Sequence, residues 1–144
     1  GVACVNTGRS LKKKEKGITL TLVNQCKTKT IHSNSVSIMQ ILLNLINNSV
    51  DAISPSANKW IQILITDSPG VTNKIQILIS DSGAGIPEEF QDKIMQPFFT
   101  TKPVGQGTGL GLSTSKGLAE SIGGQLYYDN KSPNTTFILE LPIQ

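Results

Sequence analysis

Two changes of hydrophobic period limit what this chain can fold into. From Ser37 to Ile53 the apolar residues recur at helical spacing, and Pro55 ends the pattern, leaving Ser54 to Asn58 as loop. Immediately afterwards the period becomes two. Trp60 to Thr66 carries Ile61, Ile63 and Ile65 on one side, and Lys74 to Ser80 carries Ile75, Ile77 and Ile79. Between them Asp67 to Asn73, with Pro69-Gly70, reads as a turn, so the two runs form a hairpin. An apolar helix beside a hairpin that is apolar on one side must bury one against the other. That predicts a two-layer α/β sandwich.

The rest of the chain fits that plan. Ile18, Leu20 and Leu22 alternate with polar residues as a half-buried strand, Asn24 to Lys29 turns, and Thr28 to His32 reads as a short antiparallel return. Pro87 opens a short helix through Met95, with Glu88 and Glu89 favourable to its dipole. A further helix runs through Leu112, Leu118, Ala119 and Ile122 to Gly123-Gly124, and strands follow at Gln125–Asp129 and Thr136–Leu141. Residues 1–16 carry a weak apolar pattern ending in Lys12, Lys13, Lys14 and Lys16. They read as a helix end or linker remnant, with one domain over 17–144. At 144 residues, 38% hydrophobic and 16% charged, the chain is expected to be one soluble globular domain. No apolar run approaches the roughly 20 residues of a membrane span, and the N-terminus lacks a signal-peptide layout. A net charge of +3 with Arg9 as the only arginine argues against nucleic acid as a partner. Cys4 and Cys26, without CxxC spacing, are expected to stay reduced.

Three segments carry chemistry. On a wheel of about 100° per residue, Ile38, Ile41, Leu42, Leu43, Leu45, Ile46, Val50, Ala52 and Ile53 fill most of the circumference, which predicts a largely buried helix. The remaining stripe is Gln40, Asn44, Asn47, Asn48 and Asp51. Asparagine is a mediocre helix former, so the stripe is either a set of buried hydrogen bonds or a row of oxygen ligands. Mg²⁺ would suit the second reading, because it takes hard oxygens and keeps most of its waters. Asp81 closes an apolar strand and leads into Ser82-Gly83-Ala84-Gly85-Ile86. It is either an Asx turn or an acceptor for a donor such as the exocyclic amine of adenine, with Gly83 and Gly85 leaving room for a flat base. Finally, Pro97 to Leu112 reads P-F-F-T-T-K-P-V-G-Q-G-T-G-L-G-L and empties into a helix N-terminus. Such a segment is either an ordinary surface loop or a cradle for phosphate oxygens.

Taken together, Q-I-L-L-N-L-I-N-N-S-V-D-A (Gln40 to Ala52), D-S-G-A-G-I (Asp81 to Ile86), P-F-F-T-T-K (Pro97 to Lys102), G-Q-G-T-G-L-G-L (Gly105 to Leu112) and N-T-T-F-I-L-E-L-P (Asn134 to Pro142) resemble the ATP-binding catalytic domain of sensor histidine kinases, in the superfamily that includes gyrase, mismatch-repair and heat-shock-chaperone ATPases. The resemblance begins near Gly17 and implies a Bergerat-type sandwich of a mixed β-sheet and a helical layer, with ATP and Mg²⁺ as cofactors. It implies Asn48 as the Mg²⁺ ligand and Asn44 facing the same phosphates, with Asp51 on the same stripe. Asp81 would read adenine, with Gly83, Gly85 and Ile86 shaping the pocket and Thr135 touching the base edge. Phe98 and Phe99 would anchor a short lid. Thr101 and Lys102 belong to that lid, with Lys102 near the terminal phosphate. Gly105, Gly107, Thr108, Gly109, Leu110, Gly111 and Leu112 would wrap the phosphates. Asn44 and Lys102 are thus the catalytic candidates.

The departures from the family pattern are informative. Hydrolysing relatives carry glutamate where this chain has Asn44, and an amide has no useful basicity for activating water. That favours a kinase over a free-standing ATPase of the gyrase or chaperone class. Ser49 stands for the usual alanine, Met95-Gln96 for Phe-Glu, and Asn134 for glycine. The only histidine, His32, lies outside any H-E or H-D context. The resemblance therefore implies the catalytic half of a protein-histidine kinase. Its partners would be a phosphoacceptor and dimerisation domain of the same protein and a downstream response regulator, without membrane contact by this domain. A cytoplasmic location is expected whether or not the parent protein is membrane-anchored. A nucleotide-sensing, anti-sigma-like module is the rival from the binding class.

Overall fold

The computed structural model describes residues 2–3, 10–15, 17–26, 30–31, 33–53, 58–70, 73–99 and 111–143. In chain order the elements are β1 (Val2–Ala3), β2 (Ser10–Glu15), β3 (Ile18–Asn24), β4 (Thr30–Ile31), α1 (Ser35–Ile53), β5 (Lys59–Asp67), β6 (Lys74–Asp81), α2 (Glu88–Gln91), α3 (Gly111–Ser121), β7 (Gln125–Tyr128) and β8 (Thr136–Pro142). Six strands form one sheet in the order β2-β3-β5-β6-β8-β7. β3 and β5 are parallel and every other neighbouring pair in it is antiparallel, so the sheet is mixed.

The parallel pair needs a crossover connection, and α1 supplies it. The Asn34 side chain starts that helix by accepting from the backbone N–H of Val36 at 3.0 Å and Ser37 at 3.2 Å. α1 and α3 pack on each other, with α1 against β5 and β6 and α3 against β7. Ile41, Leu45 and Ile53 of α1, Ile61 of β5, Ile75 and Ile79 of β6, and Leu139 and Leu141 of β8 fill the space between the layers. In β6 burial alternates strictly, so the period that buries Ile75, Ile77 and Ile79 places Asp81 on the same helix-facing side.

The structure corrects several sequence expectations. Ser10–Glu15 is not a helix end: it is β2, paired with β3 in a register from Ser10↔Val23 to Glu15↔Ile18. Strand pairing there is made by backbone groups, which the S-L-K-K-K-E sequence does not advertise. β4 pairs with β1 rather than returning on β3. α2 has a single turn, with hydrogen-bonded turns replacing helix as far as Met95. Nor is α1 buried on most of its circumference: Val36, Met39 and Leu43 are exposed. Its 19 residues are long and apolar enough to cross a membrane, but here they form a layer of the sandwich. His32 and Cys4 lie outside the described residues, and Cys26 is a buried thiol that donates to Asp67 Oδ1 at 3.7 Å.

Candidate functional site

Asp81 is 2% exposed, and its carboxylate faces the helical layer. The Gly83 backbone N–H donates to Oδ1 at 2.8 Å, and the hydroxyls of Ser49 on α1 and Thr135 before β8 donate to the same carboxylate. Burial pushes the Asp81 carboxyl above the ordinary aspartate value, and these three hydrogen bonds oppose the shift without cancelling it. An Asx-turn bond is therefore present, but it is one of several interactions on a buried acceptor. Turn and ligand-reading roles are compatible in this geometry.

The loop after Asp81 is held from three sides. Thr135 Oγ1 accepts from Gly85 N–H at 3.1 Å, Tyr128 Oη accepts from Ile86 N–H at 2.9 Å, and Gln91 Nε2 donates to the Ile86 carbonyl at 2.9 Å. Asn134 Nδ2 adds a bond to the Gly83 carbonyl at 3.2 Å, so asparagine at this position ties the loop down and leaves Thr135 in place. The glycines have specific reasons. A Cβ on Gly83 would lie 2.7 Å from Asp81 Oδ1 and 2.9 Å from Thr135 Oγ1, and Gly85 has φ +96°. The missing Cβ at Gly83 thus makes room for the aspartate's own hydrogen bonds. Thr135 already donates to Asp81 and accepts from Gly85, so its hydroxyl shapes the pocket from within.

Five residues before Ser49, about 7 Å along the helix axis, lies Asn44. Its Nδ2 donates to Ser115 Oγ at 3.0 Å, and Ser115 on α3 is fully buried. The asparagine stripe divides here: Asn44 and Asn48 are half-buried, whereas Gln40, Asn47 and Asp51 are exposed. Among the described residues, no hydrogen bond holds the Asn48 carboxamide. Gly111 opens α3, which reaches back to α1 through Ser115, and Leu112 packs on the core. Ser49 thus bonds Asp81 while Asn44, on the same helix, bonds α3. The structure brings together Asp81, Gly83, Gly85, Ile86, Thr135, Asn44, Asn48 and the start of α3.

The two phenylalanines part company. Phe99 packs against Phe90 with ring centroids 5.7 Å apart and the planes tilted by 46°. Phe98 is 75% exposed with φ +66°, so it anchors nothing in the described residues. Thr101, Lys102, Gly105, Gly107, Thr108, Gly109 and Leu110 lie outside the described residues. Ser115, Tyr128 and Gln91 were not found from the sequence. The one available signal was serine at a position that the helical period makes buried.

This arrangement has known counterparts. The family model described as "Histidine kinase-, DNA gyrase B-, and HSP90-like ATPase" matches residues 33–144. The sensor kinase CckA of Brucella abortus (strain 2308) is 50% identical over 62 residues, which cover 42% of this chain and 7% of that protein. The sensor protein FixL of Bradyrhizobium diazoefficiens is 31% identical over 111 residues, covering 76% and 21%. Among solved structures, the nucleotide-free catalytic domain of histidine kinase ThkA superposes with a TM-score of 0.66 at 37% identity, over 78% of this chain and 70% of that one. ThkA in complex with the response regulator TrrA gives 0.65 at 28% identity, over 87% and 33%. The chain therefore belongs to the histidine kinase-, gyrase- and HSP90-type ATPase family, as an ATP-binding catalytic domain of the sensor histidine kinase kind. It spans about a fifth or less of the two curated relatives.

Proposed function

We propose that residues 17–144, joined by β2 at the sheet edge, bind ATP with Mg²⁺ and present the γ-phosphate to a histidine on a separate phosphoacceptor domain. The observation that carries this reading is Asp81, a buried acceptor held by Gly83, Ser49 and Thr135 at a strand end. An ionised carboxylate there matches the exocyclic amine of adenine and rejects a base that offers a carbonyl at that place.

Asn48 would hold Mg²⁺. The donor set fits a hard cation: the Asn48 carboxamide is half-exposed, and Asn44 commits Nδ2 to Ser115, which leaves its Oδ1 available. When bound, the ion supplies charge neutralisation for the polyphosphate. The chain's own residues orient and exclude water. Asn44 lies on α1 between the Asp81 contact and α3, and it cannot deprotonate a water. That favours transfer to a nucleophile that brings its own lone pair. In the proposed transfer a histidine ring nitrogen forms a bond to the γ-phosphorus, the bond to the leaving ADP oxygen breaks, and ADP departs. Lys102 is proposed to meet the terminal phosphate, with Thr101 and the glycines from Gly105 to Gly111 around the chain of phosphates.

The acceptor and dimerisation domain is proposed to belong to the same protein, and the downstream partner to be a response regulator, as in the ThkA–TrrA complex. A cytoplasmic location without membrane contact by this domain is part of the same proposal. The test supplies a phosphoacceptor helical hairpin in trans with labelled ATP. Acid-labile, base-stable label on the hairpin is expected. Steady ATP turnover without transfer would favour the free-standing ATPase, and binding with neither would favour the sensing module.

A further inference from the structure

Ser115 enters the reading above only as the partner of Asn44 Nδ2, yet it is fully buried and bonds one of the two half-buried asparagines of α1. A primary carboxamide has nearly the same shape when turned over, but the turn exchanges an acceptor for a donor. Which face Asn44 offers to its surroundings therefore decides whether it meets a cation and its waters, through oxygen, or phosphate oxygens, through NH₂. Left in water, both orientations would be populated. The neighbour on α3 breaks that symmetry. The Ser115 hydroxyl oxygen carries lone pairs that can accept from an amide N–H. Lone pairs select the amide's NH₂ side, and Asn44 Nδ2 is the atom that faces Ser115 Oγ at 3.0 Å.

We infer that Ser115 is a positioning residue that locks the Asn44 carboxamide with its NH₂ tied to α3 and its Oδ1 presented as an acceptor at the metal and phosphate end of the site. The inference rests on the proposed nucleotide site and deepens it. A serine that looks like ordinary helix filling becomes the element that makes Asn44 an oxygen donor. It also ties the start of α3, immediately after the glycine-rich segment, to the helix that carries Asn48. The effect acts on the cation-dependent part of binding and leaves base recognition at Asp81 alone.

The test compares Ser115→Ala, Asn44→Ala and the double variant with the wild-type chain, by calorimetric titration of ATP with Mg²⁺ and of ATP in EDTA. Thermal unfolding is recorded for each protein. Ser115→Ala is expected to weaken Mg²⁺-dependent ATP binding about tenfold, the scale of one lost buried hydrogen bond, and to change binding in EDTA less than twofold. In the Asn44→Ala background Ser115→Ala should cost nothing further in affinity. In the nucleotide-free protein, one Asn44 side-chain NH₂ proton should be protected from solvent exchange in the wild type and lose that protection in Ser115→Ala. A general packing role would instead lower binding equally with and without Mg²⁺, or lower the melting temperature with additive losses in the double variant. Either result, or an unchanged Asn44 amide signal, overturns the inference. Absence of ATP binding by the wild-type chain would overturn the proposed function itself, so the two failures are distinguishable.

Discussion

At the Asp81 end of the site the functional group is 2% exposed and accepts hydrogen bonds from Gly83, Ser49 and Thr135, while Thr135, Tyr128 and Gln91 hold the loop beside it. At the α1–α3 end Asn44 and Asn48 are half-buried, and a side-chain bond joins Asn44 to Ser115. Under the proposed function the contrast follows from what each end would do. A flat, weakly polar base is recognised by a preformed acceptor whose direction is fixed before it arrives, and fixing it costs burial of a charge. A polyphosphate with its cation brings its own charge and water, so short neutral oxygen donors serve it better than a buried ionised cluster. Rigidity is concentrated where recognition is by shape and hydrogen-bond direction.

That contrast can be broken by substitution. The largest effect is expected from Asp81→Asn, which puts a donor opposite a donor and removes the charged acceptor. Calorimetry should show a loss of ATP affinity of about a hundredfold or more, and near wild-type binding would remove adenine from the account. Gly83→Ala should come next. Its Cβ would lie 2.7 Å from Asp81 Oδ1, and the displaced carboxylate is expected to cost about 1–3 kcal/mol of stability in thermal unfolding together with tenfold or more in affinity. Asn48→Ala sharpens the contrast from the other end. It should erase most of the gain in ATP affinity that Mg²⁺ provides and leave adenosine binding within about twofold, where a neutral side chain is lost from a half-exposed position. Tyr128→Phe strands the Ile86 N–H, and a several-fold loss in affinity is expected, about 1 kcal/mol.

Acidification separates the two ends without a mutation. Because burial raises the Asp81 carboxyl, ATP affinity should begin to fall at a higher pH than an ordinary aspartate would dictate, as the acceptor becomes protonated. Stability moves the opposite way. With the folded value above the unfolded one, the folded state binds more protons between them, so Asp81's own contribution to stability grows as pH falls through that window and is lost as pH rises through the folded value. Unfolding followed against pH in wild type and Asp81→Asn checks the sign. The smallest effect is expected on the sheet away from both ends. Lys74 pairs with Glu140 at 3.3 Å with its side chain 42% exposed, and Lys74→Met should change stability by less than about 1 kcal/mol and leave nucleotide binding unaltered.

Legibility in the sequence followed the range of the interactions. α1, the β5–β6 hairpin, α3 and Asp81 at its strand end were readable because a single segment's own period and its Pro or Gly punctuation define each. β2 was not, because Lys12, Lys13 and Lys14 satisfy no apolar alternation and the strand exists only through backbone pairing with β3. The parallel β3–β5 pairing joins segments separated by the whole of α1, and no local pattern encodes it. In the candidate site, the motif residues Asp81, Gly83, Gly85, Thr135 and Asn44 could be singled out from the sequence, but the side chains that hold them could not. Ser115, Tyr128 and Gln91 act across 71, 42 and 5 residues of chain, and each is an unremarkable residue until its partner is known. Phe98 and Phe99 look alike in sequence and differ in position, since one finds Phe90 and the other does not.

The most direct test of convergence is a nuclear magnetic resonance titration of the isotopically labelled chain with ATP and Mg²⁺. The account predicts that the backbone amides of Gly83, Gly85 and Ile86 and the side-chain amides of Asn44 and Asn48 shift together, along one saturable curve with a single stoichiometric site. Shifts confined to another surface, such as the recess lined by Lys74, Gly124 and Glu140, or two groups that saturate independently, would contradict it.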